Sequence, residues 1–325
     1  MTLRLSLAID RYDRFFPFFD ETVQTPDSVS LDVYQVGQTV PLRDGEFRHE
    51  RMIYDEEFDV CEFSFSSFIM AKKRGLPIVG IPVFPRRLFS VGLWYVRRDS
   101  ALRSLSDLRG KRVGLNSFQT TLSVLAKGDL KFEYGVPWES MEWHVLTKEK
   151  IEFEPKKGTV IRQLKEGSDL GKLLEKGEID AFIHPHPPKS ITSGQVPVRR
   201  LAEDAAELEL SYYHKHGYCP IMHVIAIRQT LAERHPWVCD VLMNAFHSAQ
   251  TISDNYYNDP NWSKLFWGRR YWETERDALQ GDPWPIGLAA NRSNIERFLT
   301  YSQDQGLISA PISVDALFAE STLYT

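Results

Sequence analysis

Cysteine is scarce in this sequence: Cys61, Cys219 and Cys239 are the only three in 325 residues. Widely spaced, odd in number and without a C-x-x-C pair, they argue against a disulfide framework or a thiolate zinc site. Each reads as a small buried hydrophobe. No apolar run approaches the ~20 residues that cross a bilayer, so no membrane span is expected. The opening segment alternates Leu3, Leu5, Leu7 and Ile9 with polar residues. It lacks the continuous apolar stretch and small-residue cleavage site of a secretion signal, and the expected location is cytoplasmic. Neither sign of charge dominates, with 39 Lys and Arg against 44 Asp and Glu and a net charge of −5. A general grip on nucleic acid or anionic lipid is therefore not expected, and any bound anion must be held by a local cluster. Neither a P-loop nor a G-x-G-x-x-G is present, so no organic cofactor is predicted. Low-complexity tracts and solenoid repeats are missing too.

What the chain does have is buriable surface, with 42% hydrophobic and 12% aromatic residues, which excludes disorder as its main state. Its length exceeds the usual size of one core, so two lobes are expected. Strand and helix signals alternate, which argues an α/β fold. Strands are read at Leu3–Ile9, Val29–Val36, Phe58–Phe63, Ile78–Val83, Val91–Val96, Lys111–Leu115, Ile179–Ile183 and His223–Ile227. Ser168 reads as the cap of a helix closed by Gly177. Pro236 suits the first turn of a helix whose Val238, Val241, Leu242, Ala245, Phe246 and Ala249 share one face.

In open α/β sheets, ligands bind beyond the carboxyl ends of the strands, and the polar residues of interest fall there. Asp13 follows the first strand. Glu62, Ser64, Ser66 and Ser67 end the third, Arg86 and Arg87 follow Val83, Gln119 and Thr120 follow Leu115, and His184 and His186 follow Ile183. Each also has an ordinary reading. Ser66 and Ser67 can cap the next helix, whose free N–H groups would equally bind an anion. Arg86 and Arg87 can be a solvated pair, although their setting between Phe84-Pro85 and Leu88-Phe89 favours a partly buried carboxylate clamp. A lone His223 in an apolar strand is ordinarily a hydrogen-bonded core residue. Glu62, flanked by Cys61 and Phe63, must be paired, protonated or functional. Two histidines between prolines are weak evidence for a metal site, and a divalent metal is left open because His184, His186, His223 and Glu62 could meet.

Phe58-Asp59-Val60-Cys61-Glu62-Phe63-Ser64-Phe65-Ser66-Ser67-Phe68 resembles the signature FDVAEMSLSSY of the 4,5-dihydroxyphthalate decarboxylase family. Ile81-Pro82-Val83-Phe84-Pro85-Arg86-Arg87-Leu88-Phe89 resembles its IPVFPSRxFR. Gly177–Ala181, Pro187-Pro188, Pro220–His223, His235–Trp237 and Trp284–Arg292 fit in order, so the resemblance spans nearly the whole chain. Departures are Arg86, where a serine is common, Ser90, where a further arginine is frequent, and His184, where a small residue is usual.

The resemblance implies a two-lobed type 2 periplasmic-binding-protein fold with two crossover strands, Trp94–Val96 and His223–Ala226, and a central cleft. Residues 1–96 with 223–325 would form one lobe and 97–222 the inserted other. It further implies a small aromatic carboxylate as substrate, decarboxylated without a cofactor by protonation of the ring carbon that bears the departing group. In that scheme Arg87, helped by Arg86, Ser66 and Ser67, clamps the anion, and Glu62 accepts from a ring hydroxyl. His223 is the acid and His184 the second choice, with Ser64, Asp13, Gln119 and Thr120 completing the substrate contacts. The rival class is a binding module, either the receptor of an ABC importer or a cytosolic sensor, that closes on such a carboxylate without chemistry. Trp262, Phe266, Trp267, Tyr271 and Trp272 could build a homo-oligomer interface, although core packing is the commoner use.

Overall fold

The computed structural model describes residues 2–36, 48–149, 151–186 and 188–325. Strands run in chain order as β1 (Leu3–Ile9), β2 (Val29–Gln35), β3 (Val60–Ser64), β4 (Ile78–Ile81), β5 (Trp94–Arg97), β6 (Arg112–Leu115), β7 (Glu142–Val145), β8 (Val160–Gln163), β9 (Ala181–Ile183), β10 (Val198–Arg200) and β11 (His223–Arg228). The chain divides into two α/β units. The first comprises Met1–Arg86, His223–Ser293 and Ile312–Thr325, and the second Arg87–Met222 and Asn294–Pro311.

The first unit is built on a sheet of order β2-β1-β3-β11-β4. β1 is parallel to β2 and β3, whereas β11 is antiparallel to both of its neighbours. Leu5, Leu7, Ile9, Val60, Ile81, Ile225 and Ile227 bury one sheet face against Val238, Leu242, Phe246 and Ala249. Those four lie on helix Trp237–Tyr256, on the stripe that the 3.6-residue period predicts, with Pro236 just before it.

The second unit has a sheet of order β10-β5-β9-β6-β7-β8. Here β6 is parallel to β7 and β9, and β5 is antiparallel to both of its neighbours. Leu170, Leu174, Ile179, Phe182 and Tyr95 form one of its clusters. The two antiparallel strands have one topological cause: β5 is the second unit's first strand and β11 is the strand with which the chain re-enters the first. Neither arrives through the right-handed helical crossover that makes successive strands parallel.

Two expectations need correction. The second unit begins at Arg87 rather than residue 97, because Trp94–Arg97 pairs on both edges inside the second sheet, and it also takes back Asn294–Pro311 near the end of the chain. The helix Leu170–Glu175 is capped not by Ser168 but by Asp169, whose carboxylate accepts from the Lys172 N–H at 2.9 Å. Among the described residues no helix is long and apolar enough to cross a membrane.

Candidate active site

Glu62 sits on β3 with no exposed surface, in a first-unit environment that is otherwise Val60, Cys61 and Phe63. A bare carboxylate there would be ruinous, and the fold supplies donors to both oxygens. β1 lies parallel beside β3 and brings the Asp10 N–H to Oε2 at 2.9 Å. The loop beyond Asp10 delivers the Tyr12 hydroxyl to Oε1 at 2.8 Å. Arg48, at the start of helix Arg48–Ile53, places Nη2 3.9 Å from Oε1. The fourth partner is His223, whose Nδ1 makes a short hydrogen bond to Oε1. Ladder register explains that contact: His223 stands opposite Ser64, so Glu62, two residues back, is its diagonal neighbour on the same sheet face.

Electrostatics divides the roles. Burial pushes the Glu62 carboxyl up, but His223, Arg48 and the Asp10 N–H more than offset it, and the group lies well below the usual carboxylate range. Burial pushes the His223 imidazole down to about 4, helped by Arg48 and Arg86 and opposed by Glu62. At neutral pH the resting pair is therefore carboxylate and neutral imidazole, with the ring proton on Nδ1 and donated to Glu62. Burial and the Glu62 charge also hold the Tyr12 phenol well above its ordinary value, so it stays a donor. Arg14 braces this corner: its guanidinium lies 4.2 Å from the Tyr12 ring centre and 3.9 Å from that of Trp284, and it donates to the Pro85 carbonyl at 3.0 Å. His49 stacks on Phe63 with ring centres 3.9 Å apart and accepts the Ser64 N–H through Nε2 at 3.2 Å.

Of the residues singled out in the sequence, Glu62, His223, Ser64, Ser66, Ser67, Arg86 and Asp13 fall in the first unit. Ser66 and Ser67 are buried within the first turn of helix Phe65–Lys73, and Ser64 takes the N-cap position instead. Arg86 accepts the His223 N–H at its carbonyl, 3.2 Å away, and its charge acts on Tyr12 and His223. Asp13 is exposed and accepts from Tyr257 and Arg14 rather than joining Glu62.

Arg87, Gln119, Thr120 and His184 belong to the second unit. Consecutive side chains of an extended segment diverge, and Arg87 turns to the Cys219 carbonyl at 3.0 Å. The Gln119 side-chain amide is spent on Ile151, donating to its carbonyl at 2.8 Å and accepting its N–H at 3.3 Å. Thr120 shares a hydrogen bond with Ser123 at 2.7 Å. His184 accepts the His186 N–H at Nδ1, 3.0 Å away. Pro187 lies outside the described residues, among which no three His, Cys, Asp or Glu side chains gather to hold a metal ion.

Tyr12, Arg14, Arg48 and His49 were missed by motif reading. Arg48-His49-Glu50-Arg51 looks like a solvated charge run, and nothing local says that its first residue reaches a strand twelve positions further on.

Two α/β units, each with one antiparallel entry strand, define the class: the fold of periplasmic solute-binding proteins, here carrying a buried carboxylate–imidazole pair. That fold recurs, at TM-score 0.55 and 10% identity, in the zinc-bound ligand-binding component of an ABC-type import system from Staphylococcus aureus, covering 99% of this chain and 98% of that one. It recurs at TM-score 0.51 and 13% identity in the desulfurization enzyme DSZB, covering 98% of each chain. A family model described as NMT1/THI5 like matches residues 43–131. A 4,5-dihydroxyphthalate decarboxylase from Comamonas testosteroni is 32% identical over 330 residues, 99% of this chain and 98% of that protein. The chain belongs to the 4,5-dihydroxyphthalate decarboxylase family.

Proposed function

We propose that this protein is a carboxy-lyase that removes CO2 from a hydroxylated aromatic dicarboxylate such as 4,5-dihydroxyphthalate, leaving 3,4-dihydroxybenzoate. The observation that carries the reading is the Glu62–His223 pair, an ionised carboxylate on β3 fixing a neutral imidazole on β11 through Nδ1.

Losing CO2 from an aromatic ring leaves an electron pair on carbon unless that carbon is protonated first. In 4,5-dihydroxyphthalate each carboxylate has a hydroxyl para to it, which can push electrons toward the carbon to be protonated. His223, once protonated, gives its Nε2 proton to that carbon. The bond to the carboxylate then breaks, its electron pair restores the aromatic ring, and CO2 departs. The balance is one proton consumed and one CO2 released. Glu62 stabilises the imidazolium that precedes transfer and keeps the ring oriented. Carboxylates of a bound substrate raise the affinity of the imidazole for a proton, so the group that is neutral at rest becomes an acid when the substrate arrives.

Arg86, whose charge already reaches His223 and Tyr12, supplies the carboxylate clamp in this scheme, and Tyr12 lies within the same network. Arg87 and His184, the clamp and second acid implied by the family pattern, lie in the second unit.

The test is a panel of benzene dicarboxylates with and without a hydroxyl para to a carboxylate, followed by CO2 release and product chromatography. Release confined to the para-hydroxylated members supports the reading. Binding of those members with no release from any would replace it with a solute receptor or sensor.

A further inference from the structure

The segment after helix Trp237–Tyr256 takes no part in the network around Glu62, and it is exposed in an unusual way. Leu265, Phe266, Trp267 and Tyr271 are each more than half exposed, Phe266 at 92%. Single exposed apolar residues need no explanation, but four within seven positions form a patch. It leads into helix Gly268–Leu279, of which only Gly268 is buried. This helix has almost no core to hold it.

Its first turn carries Arg269 and Arg270 and no acid, which the helix macrodipole disfavours, while Glu273, Glu275 and Asp277 lie further along, beside Arg276 in the last turn. Arg269 is satisfied locally, by Glu273 at 2.7 Å and by the Tyr257 carbonyl at 2.7 Å. Arg270 and Asp277 are exposed and make no ion pair among the described residues. Seven residues apart, they lie on one face, about 10 Å along the axis.

We propose that this helix is the self-association surface of the protein, packing antiparallel against the same helix of a second copy about a two-fold axis. Such an isologous contact sets Arg270 against the partner's Asp277 twice over. It also places each dipole end next to the opposite end of its neighbour. The opposite charges of Arg270 and Asp277 at the two ends of one face are what make the surface complementary to itself. Phe266 and Trp267, at the start of the helix, lose their exposure in the same contact. The inference is independent of any catalytic activity.

Sedimentation equilibrium on the purified full-length chain tests it. The wild type should be a dimer or an assembly of dimers. Arg270→Glu and Asp277→Arg should each raise the dissociation constant at least about tenfold. The double variant, which restores opposite charges across the axis, should recover the wild-type value. Circular dichroism melts matching the wild type would show that the variants fold. A wild type that stays monomeric at the highest soluble concentration overturns the proposal, as does a double variant no tighter than the singles. A monomer that instead binds phosphatidylglycerol vesicles overturns it in favour of a lipid surface.

Discussion

His223 shows how much one residue's meaning depends on its neighbours. In the sequence it is a lone histidine in an apolar strand, for which the ordinary reading is a core hydrogen bond. The ladder register converts it into a group joined to a buried carboxylate. Its folded pKa of about 4 lies below the ordinary 6.5, so the unfolded chain binds a proton that the folded chain refuses. Stability from this residue is fully present above pH 6.5 and is lost as the pH falls toward 4, a loss of up to about 3 kcal/mol. Glu62, shifted downward, adds a loss of the same sign at still lower pH. Denaturant titrations at pH 7 and pH 4.5 should show the wild type losing more stability on acidification than His223→Gln, and equal losses would refute the assignment. That Glu62 has partners was legible, because a carboxylate between Cys61 and Phe63 demands them. Arg48 and Tyr12 were not, because their role comes from the packing of other elements on β3.

Elements were legible where they carry a strong period or a clear stop. β1 has the expected bounds, and helix Trp237–Tyr256 begins just after Pro236, as expected. β7, β8 and β10 were not read at all, being four, four and three residues long and offering too little alternation to register. Most of the C-terminal helix Arg292–Asp304 joins the second unit, which no local signal announces. Gly128, on helix Thr121–Phe132, shows how closely it docks: a Cβ there would meet the Tyr301 ring at 2.1 Å. Gly→Ala in a helix ordinarily stabilises by about 1 kcal/mol. Gly128→Ala should instead destabilise, by about 1–3 kcal/mol, because both helix and ring must shift. Thermal unfolding checks the sign, and a stabilised variant would mean that the helices are not in contact. The same helix buries Asp129, which accepts from Ser90 at 2.7 Å and Tyr301 at 3.0 Å and whose carboxyl burial pushes up to about 6. Polar groups thus fasten the returning segment as well as packing.

For the whole molecule, the α/β class was legible from alternating strand and helix signals, and the family from two motifs that sit at strand ends. The unit boundaries and the partners of each polar residue were not, since both depend on contacts between distant segments. The central claim is that a buried carboxylate–imidazole pair performs chemistry rather than merely holding β3 to β11. The direct measurement is calorimetric binding of 4,5-dihydroxyphthalate alongside CO2 release for the wild type, Glu62→Gln and His223→Ala. The account predicts that all three bind with similar affinity, and that both variants release CO2 at least about a hundredfold more slowly, the scale of about 3 kcal/mol of lost transition-state stabilisation. Release at the wild-type rate from either variant would contradict it.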